Sequence, residues 1–359
     1  MTRGDIGGQG GAGRSARRPR HRGLLDLGRA PSAVYDVAIT DLDGVCFRDT
    51  EPVEYATESV AAARAAGLRF LFLTNNAMRP PRAAAERLVG VGIDAGPSDV
   101  LTAAQTGAAL VAADLESGAK VLVVGSPGLA QALREVGLTP VDSAEEQPAA
   151  VLQGLSEDLT WRQLAEGAFA IQAGAAYYAT NLDLTLPQPR GFAPGNGSLV
   201  AALSTATGVQ PIASGKPNAS MFHLAVARAG ALRPVVVGDR LDTDLAGANN
   251  AGLPGMMVLT GVNTAADACL APPARRPSLL AWDLRGLNLP HRAPVPDGDG
   301  WLCGGQRAWV EGGRLRLDGE PESNDMLRAA AAACWAAADA GAGLKPAGIP
   351  AVYHREGQT

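Results

Sequence analysis

The sequence predicts an α/β protein built on parallel sheets, with a small α+β unit appended at its C-terminal end. Three observations lead there. Short apolar runs alternate with Ala-rich stretches of helical length from Tyr35 to about residue 270, and such alternation builds βαβ units with right-handed crossovers. The runs at 37–40, 69–73 and 233–237 are nearly continuous in apolar residues, as strands covered on both faces are. From about Ala271 the rhythm breaks, and prolines and arginines cluster instead.

Taken in order, the first strand runs into Asp41-Leu42-Asp43-Gly44 and is followed by a loop or tight hairpin to Pro52. Ala-rich residues 56–66 form a helix stopped by Gly67. A second strand, 69–74, ends in Thr74-Asn75-Asn76, and the proline pair before residue 82 opens a helix reaching Gly90. A second α/β series follows: helix 102–115, strand 120–125, helix 127–136, strand 150–153, helix 161–173 and strand 176–179. Residues 181–198 read as a Pro/Gly-rich loop, and loops of that length inside a compact domain are usually functional. The helix after it starts at Leu199, with Ser198 as its N-cap. Then come Gly215-Lys216-Pro217, helix 221–229, strand 233–238 ending at Asp239, helix 245–251, strand 256–260 and a turn at 261–263. In the appended unit, 309–317 has the pattern of a hairpin and 324–340 is an Ala-rich helix.

Composition narrows the function. A length of 359 residues allows two to three domains, and no apolar run approaches the roughly 18 residues that span a bilayer. Cys46, Cys269, Cys303 and Cys334 are far apart and form no Cys-x-x-Cys pair, which disfavours zinc and disulfides and points to a reducing cytoplasm. Residues 1–33 hold seven arginines and two aspartates in a chain of net charge −5, so this segment reads as a disordered basic tail. A nucleic-acid arm is the sharper reading of that tail and a solvated extension the blander, preferred one; no nucleic-acid or membrane partner is expected.

Alone, Asp41-x-Asp43-Gly44 also suits a plain strand-to-turn exit. Its weight comes from its partners. Open α/β sheets place their chemistry beyond the carboxyl ends of the strands. There this chain puts Asp41 and Asp43, Thr74 and Asn75, Lys216, and Asp239 with Asp244. Three carboxylates suit a hard cation such as Mg2+, Lys216 offers a positive charge to a phosphoryl group, and Thr74 and Asn75 offer donors near a helix N-terminus. Together they suggest phosphoryl transfer, with Asp41 attacking phosphorus and Asp43 moving protons as acid and base.

These four segments, Asp41-x-Asp43-Gly44, Thr74-Asn75-Asn76, Gly215-Lys216-Pro217 and Gly238-Asp239-x4-Asp244, resemble the four ordered motifs of the haloacid dehalogenase superfamily phosphatases. The long insertion between the second and third resembles the α/β cap of the branch that holds phosphoglycolate, pyridoxal-phosphate and nitrophenyl-phosphate phosphatases. The stretches 194–203, 237–244, 251–254 and 258–263, with the appended unit, resemble the actinobacterial glycerol-3-phosphate phosphatases within it. The resemblance implies a Rossmann-like core at 34–102 and 194–275, an inserted α/β cap at 103–193 and a C-terminal unit at 276–359. It also implies Asp41 as nucleophile and Asp43 as acid/base. Mg2+ would be held by Asp41, the Asp43 carbonyl, Asp239 and Asp244, and phosphate by Thr74, Asn75 and Lys216 beside Gly44. Asn181, Asp183 and Arg190, in the cap loop, would face the substrate, although Asn181 and Asp183 serve equally well as turn formers. The implied partner is a small phosphorylated metabolite: glycerol 3-phosphate first, with 2-phosphoglycolate, a nucleoside monophosphate or pyridoxal phosphate as alternatives. A homodimer is left open, as is a non-catalytic sensor or scaffold on the same fold.

Overall fold

The computed structural model describes residues 23–188 and 190–354. Six parallel strands form the core sheet in the spatial order Leu279–Ala281, Gly255–Val258, Pro234–Gly238, Val37–Asp41, Arg69–Thr74 and Val100–Thr102. Val37–Asp41 is central, and its register sets Asp41 opposite Leu73 at the carboxyl edge. Alternate residues of these strands feed two apolar layers. Ala38, Phe72 and Val237 pack on one face with Val60 and Leu88; Ile39, Leu73 and Val236 pack on the other with Met221 and Phe222. Burial on both faces is why the runs carry no polar alternation.

Between Thr102 and Ser214 the chain leaves the core and builds a second parallel sheet. Its order is Ile212–Ala213, Ala176–Ala179, Ala150–Gln153, Lys120–Val124, Thr139–Val141. Thr102, the last residue of a core strand, is also the N-cap of the first cap helix, Ala103–Asp114; its hydroxyl accepts from Gln105 N–H. The core strand therefore passes into the cap without a linker.

Helix Asn196–Thr207 and strand Ile212–Ala213 lie with the cap, so the return to the core comes later than the expected residue 194. The cause is an apolar stripe: Val200 and Leu203 pack on Val124, Val151 and Ile171 of the cap. The helix starts at Asn196 behind Gly195, not at Leu199, and the expected loop before it holds an antiparallel hairpin, Thr185–Gln188 with Gly191–Pro194. At the other end, Leu279–Ala281 adds the sixth core strand, and Leu284 and Leu287 join the core cluster beside Ala56 and Val60; the core runs past 275.

The expected tail needs the same correction in part. Residues 1–22 lie outside the described residues, but 23–33 are packed. Leu25 N–H donates to Ser278 O at 2.8 Å and Leu27 N–H to His291 O at 3.0 Å, while buried Leu24 joins the apolar cluster of the C-terminal unit. Its leucines, not the arginines upstream, decide where this segment goes.

The C-terminal unit is a four-stranded antiparallel sheet, Val295–Asp297, Gly300–Cys303, Gln306–Glu311 and Arg314–Asp318, carrying helix Asn324–Asp339. That helix shares one cluster with core residues Met257, Leu280 and Leu245 through Met326, Leu327 and Trp335. Arg276 pairs with Asp339 at 2.7 Å, and Trp335 Nε1 donates to Ala268 O at 2.9 Å. The unit is welded to the core.

Candidate active site

The strand ends meet at one edge of the core sheet, below the cap. Asp41, Asp239 and Asp244 each offer a carboxylate oxygen, all within 4.8 Å of one another, and Asp239 and Asp244 are fully buried. Lys216 lies among them, itself 4 % exposed, with Nζ 2.7 Å from Asp41 Oδ1 and 2.8 Å from Asp244 Oδ1. Burial pulls the Lys216 pKa down, but Asp244 and Asp41 outweigh it and leave the ammonium locked on. Burial, then the charges of Asp244 and Asp41, push Asp239 well above the ordinary carboxylate range, and burial raises Asp244 against the pull of Lys216.

One cation among three carboxylates leaves negative charge uncompensated. Asp239 Oδ1 is buried without a hydrogen-bond partner, while its Oδ2 accepts from Val262 N–H at 2.5 Å. An orphaned carboxylate oxygen inside an oxygen-donor cluster fits a hard divalent cation of the Mg2+ type.

The backbone around Asp239 is shaped to it. Gly44 has φ +81°, and a Cβ there would come within 2.8 Å of Asp239 Oδ2 and of Gly261 Cα. A Cβ on Gly261 would collide with the same carboxylate. Thr260 Oγ1 donates to Gly44 O at 2.7 Å, and Asn263 Oδ1 accepts from Leu241 N–H at 2.8 Å. The turn 261–263 was legible as a turn but not as part of the site; the signal was its place, just beyond the end of a core strand.

Asp43 stands apart from the cluster. Its carboxylate is 65 % exposed and lies 3.6 Å from Arg87. Partial desolvation and the neighbouring Asp41 charge raise its pKa, with Arg87 and Lys216 opposing. Thr74 Oγ1 accepts from Asn76 N–H. Asn75 is the joint of the site: Oδ1 accepts from Lys216 N–H at 2.9 Å, and Nδ2 donates to Lys216 O and to Asp183 Oδ2, each at 3.1 Å. Asn181 Nδ2 donates to Asn75 O at 2.8 Å while its Oδ1 accepts from Asp183 N–H, so it is both a turn former and a tie to the core. Burial raises the Asp183 pKa against the bond from Asn75. Arg190 is different: it sits exposed in the turn of the hairpin, with no bond to the cluster among the described residues. Asp242 pairs with Arg240 at 2.9 Å instead of joining the carboxylates.

Comparison with known proteins gives the chain's family. The model of haloacid dehalogenase-like hydrolases matches residues 38–139, and a second model of the same kind matches 213–287. A GCN5-related N-acetyltransferase-like domain model matches 303–351, a relationship the sequence reading did not find. The D-glycerol 3-phosphate phosphatase of Mycobacterium tuberculosis is 44% identical over 330 residues, covering 88% of this chain and 90% of that protein. The 5'-nucleotidase YutF of Bacillus subtilis is 36% identical over 64% of this chain and 88% of its own. The crystal structure of the M. tuberculosis glycerol phosphate phosphatase in complex with magnesium superposes with a TM-score of 0.79 at 44% identity, covering 86% of this chain and 92% of that one. The chain belongs to the haloacid dehalogenase-like hydrolases.

Proposed function

We propose that this hydrolase is a Mg2+-dependent phosphatase of small phosphomonoesters, glycerol 3-phosphate first among them. One observation carries the reading: three carboxylates converge at a strand-end edge, two of them paired to a single buried lysine and the third with one oxygen unpartnered. Asp41, Asp239, Asp244 and the Asp43 carbonyl would hold the metal, which when bound supplies positive charge to the phosphoryl oxygens. Asp41, at the open side of the cluster, attacks phosphorus; the Asp41–phosphorus bond forms as the ester P–O bond breaks, giving an aspartyl-phosphate. Asp43 gives its proton to the departing alkoxide, then takes one from the water that releases phosphate. Lys216 neutralises charge on the transferring group, and Asn75 fixes Lys216 by gripping its backbone on both sides. The loop with Asn181 and Asp183 closes over the site and excludes water.

The M. tuberculosis relative supports glycerol 3-phosphate as substrate, and the B. subtilis relative makes a nucleoside monophosphate the second choice. Against a base or a pyridoxal ring, Phe192 of the cap loop is 80 % exposed and offers no enclosed stacking face. Four free, buried cysteines suit a reducing cytoplasm. The test is a panel of phosphate esters with Mg2+, comparing wild type with Asp41→Asn. The substitution is expected to remove about 10³-fold or more of the turnover. Wild-type turnover no better than the variant's on every ester would sink the reading.

A further inference from the structure

Arg87 occupies the last turn of helix Pro81–Gly90, and its side chain is only 32 % exposed. Its guanidinium touches the loop after Asp41 at three points. Nη2 donates to Asp49 O at 2.7 Å and lies 3.6 Å from Asp43 Oδ1, and the guanidinium carbon sits 4.2 Å from the centroid of Phe47. Phe47 is fully buried, and its carbonyl accepts from Gly44 N–H at 2.8 Å. The opposite side of this loop is pinned by Arg48, whose Nε donates to Thr260 O at 3.0 Å.

An exposed ion pair is usually worth less than about 1 kcal/mol and would mean little. This one differs because stacking on Phe47 and the bond to Asp49 O set the guanidinium plane before Asp43 reaches it. The other cation acting on Asp43 is Lys216, already shared by Asp41 and Asp244. Without Arg87, Asp43 is left facing the repelling charge of Asp41 and a lysine already paired twice, with no cation to fix its carboxylate.

We propose that Arg87 is the positioning residue of the leaving-group proton donor, holding the Asp43 carboxylate at the mouth of the site and out of the metal-type cluster. The proposal rests on the acid/base role given to Asp43 above. As the Asp41–phosphorus bond forms and the ester bond breaks, an alkoxide needs the Asp43 proton to leave, whereas a nitrophenolate leaves without it. A misplaced donor therefore slows alkyl esters selectively.

The experiment measures kcat/KM, which reports steps up to leaving-group departure, for glycerol 3-phosphate and p-nitrophenyl phosphate. It compares wild type, Arg87→Met, Arg87→Gln, Arg87→Lys and Asp43→Asn. Arg87→Met is expected to lose about 10–100-fold on the alkyl ester, mainly in kcat, and under about 3-fold on the aryl ester, with Arg87→Lys recovering part of the difference. Arg87→Gln keeps a donor for Asp49 O but loses the charge; it should show the same bias, and carries the test if the methionine variant fails to fold. Equal losses on both esters for folded Arg87 variants, with a biased loss for Asp43→Asn, would overturn the role of Arg87 alone. An unbiased loss for Asp43→Asn would instead overturn the acid assignment and this proposal with it.

Discussion

Replacing Lys216 by Met is the sharpest probe of the site's electrostatics. Methionine keeps much of the aliphatic stem, so the change removes the charge with little cavity. The lost contacts are ion pairs of 2.7 and 2.8 Å, to Asp41 and Asp244, whose side chains are 11 % and 1 % exposed. Stripping one partner from a buried pair costs about 3–5 kcal/mol, because the remaining charges stay buried. The cost should depend on pH. Asp239 and Asp244 have folded-state pKa values raised by burial, so the folded protein holds protons that the unfolded chain releases. For such groups stability is greatest below the ordinary carboxylate pKa and falls as pH climbs through the raised values. Lys216 opposes both rises, so its loss deepens that fall. Urea unfolding in EDTA should show the full deficit at pH 7.5 and a clearly smaller one at pH 5. A deficit below about 1 kcal/mol, or one equal at both pH values, would refute the view that Lys216 is held by charge.

Two further outcomes follow from contacts elsewhere. Asp183→Ala removes one bond from Asn75; at about 0.5–1.5 kcal/mol it should raise KM for the preferred ester roughly 2- to 12-fold, and an unchanged KM in steady-state assays would detach the cap loop from substrate binding. Truncation after residue 318 removes Met326, Leu327 and Trp335 from a cluster shared with Met257 and Leu280, and the product should be insoluble or unfold without cooperativity; a soluble, fully active truncate would show that the unit is dispensable.

The parts of this architecture legible in the sequence are those where one physical signal acts alone. The strands at 37, 69 and 234 are apolar on both faces, and their polar ends converge at one sheet edge. The misread parts are those where a segment is claimed by a neighbour distant in sequence. Val100–Thr102 and Leu279–Ala281 are three residues each, too short for periodicity, and become strands only because the edges of a formed sheet receive them. Helix Asn196–Thr207 reads in sequence as part of the resuming core but lies with the cap in space, because its apolar stripe matches the cap. Arg87 escaped notice because its helix also carries Arg82, and the sequence does not say which of the two faces the loop after Asp41. Arg190 shows the converse: a cation in a promising loop remained on the surface.

The cap's return path has a mechanical consequence. Gly215 is tied to the cap, its N–H donating to Thr180 O at 2.8 Å, while Lys216 is gripped by Asn75 of the core on both its N–H and its carbonyl. On the return side the seam thus falls within a single peptide link, and the residue just across it carries the ammonium. A swing of the cap would load this link together with the Thr102–Ala103 link on the outgoing side. Asn75, on the core, also donates to Asp183 of the cap loop. The catalytic ammonium therefore sits one residue from the cap while its backbone belongs to the core.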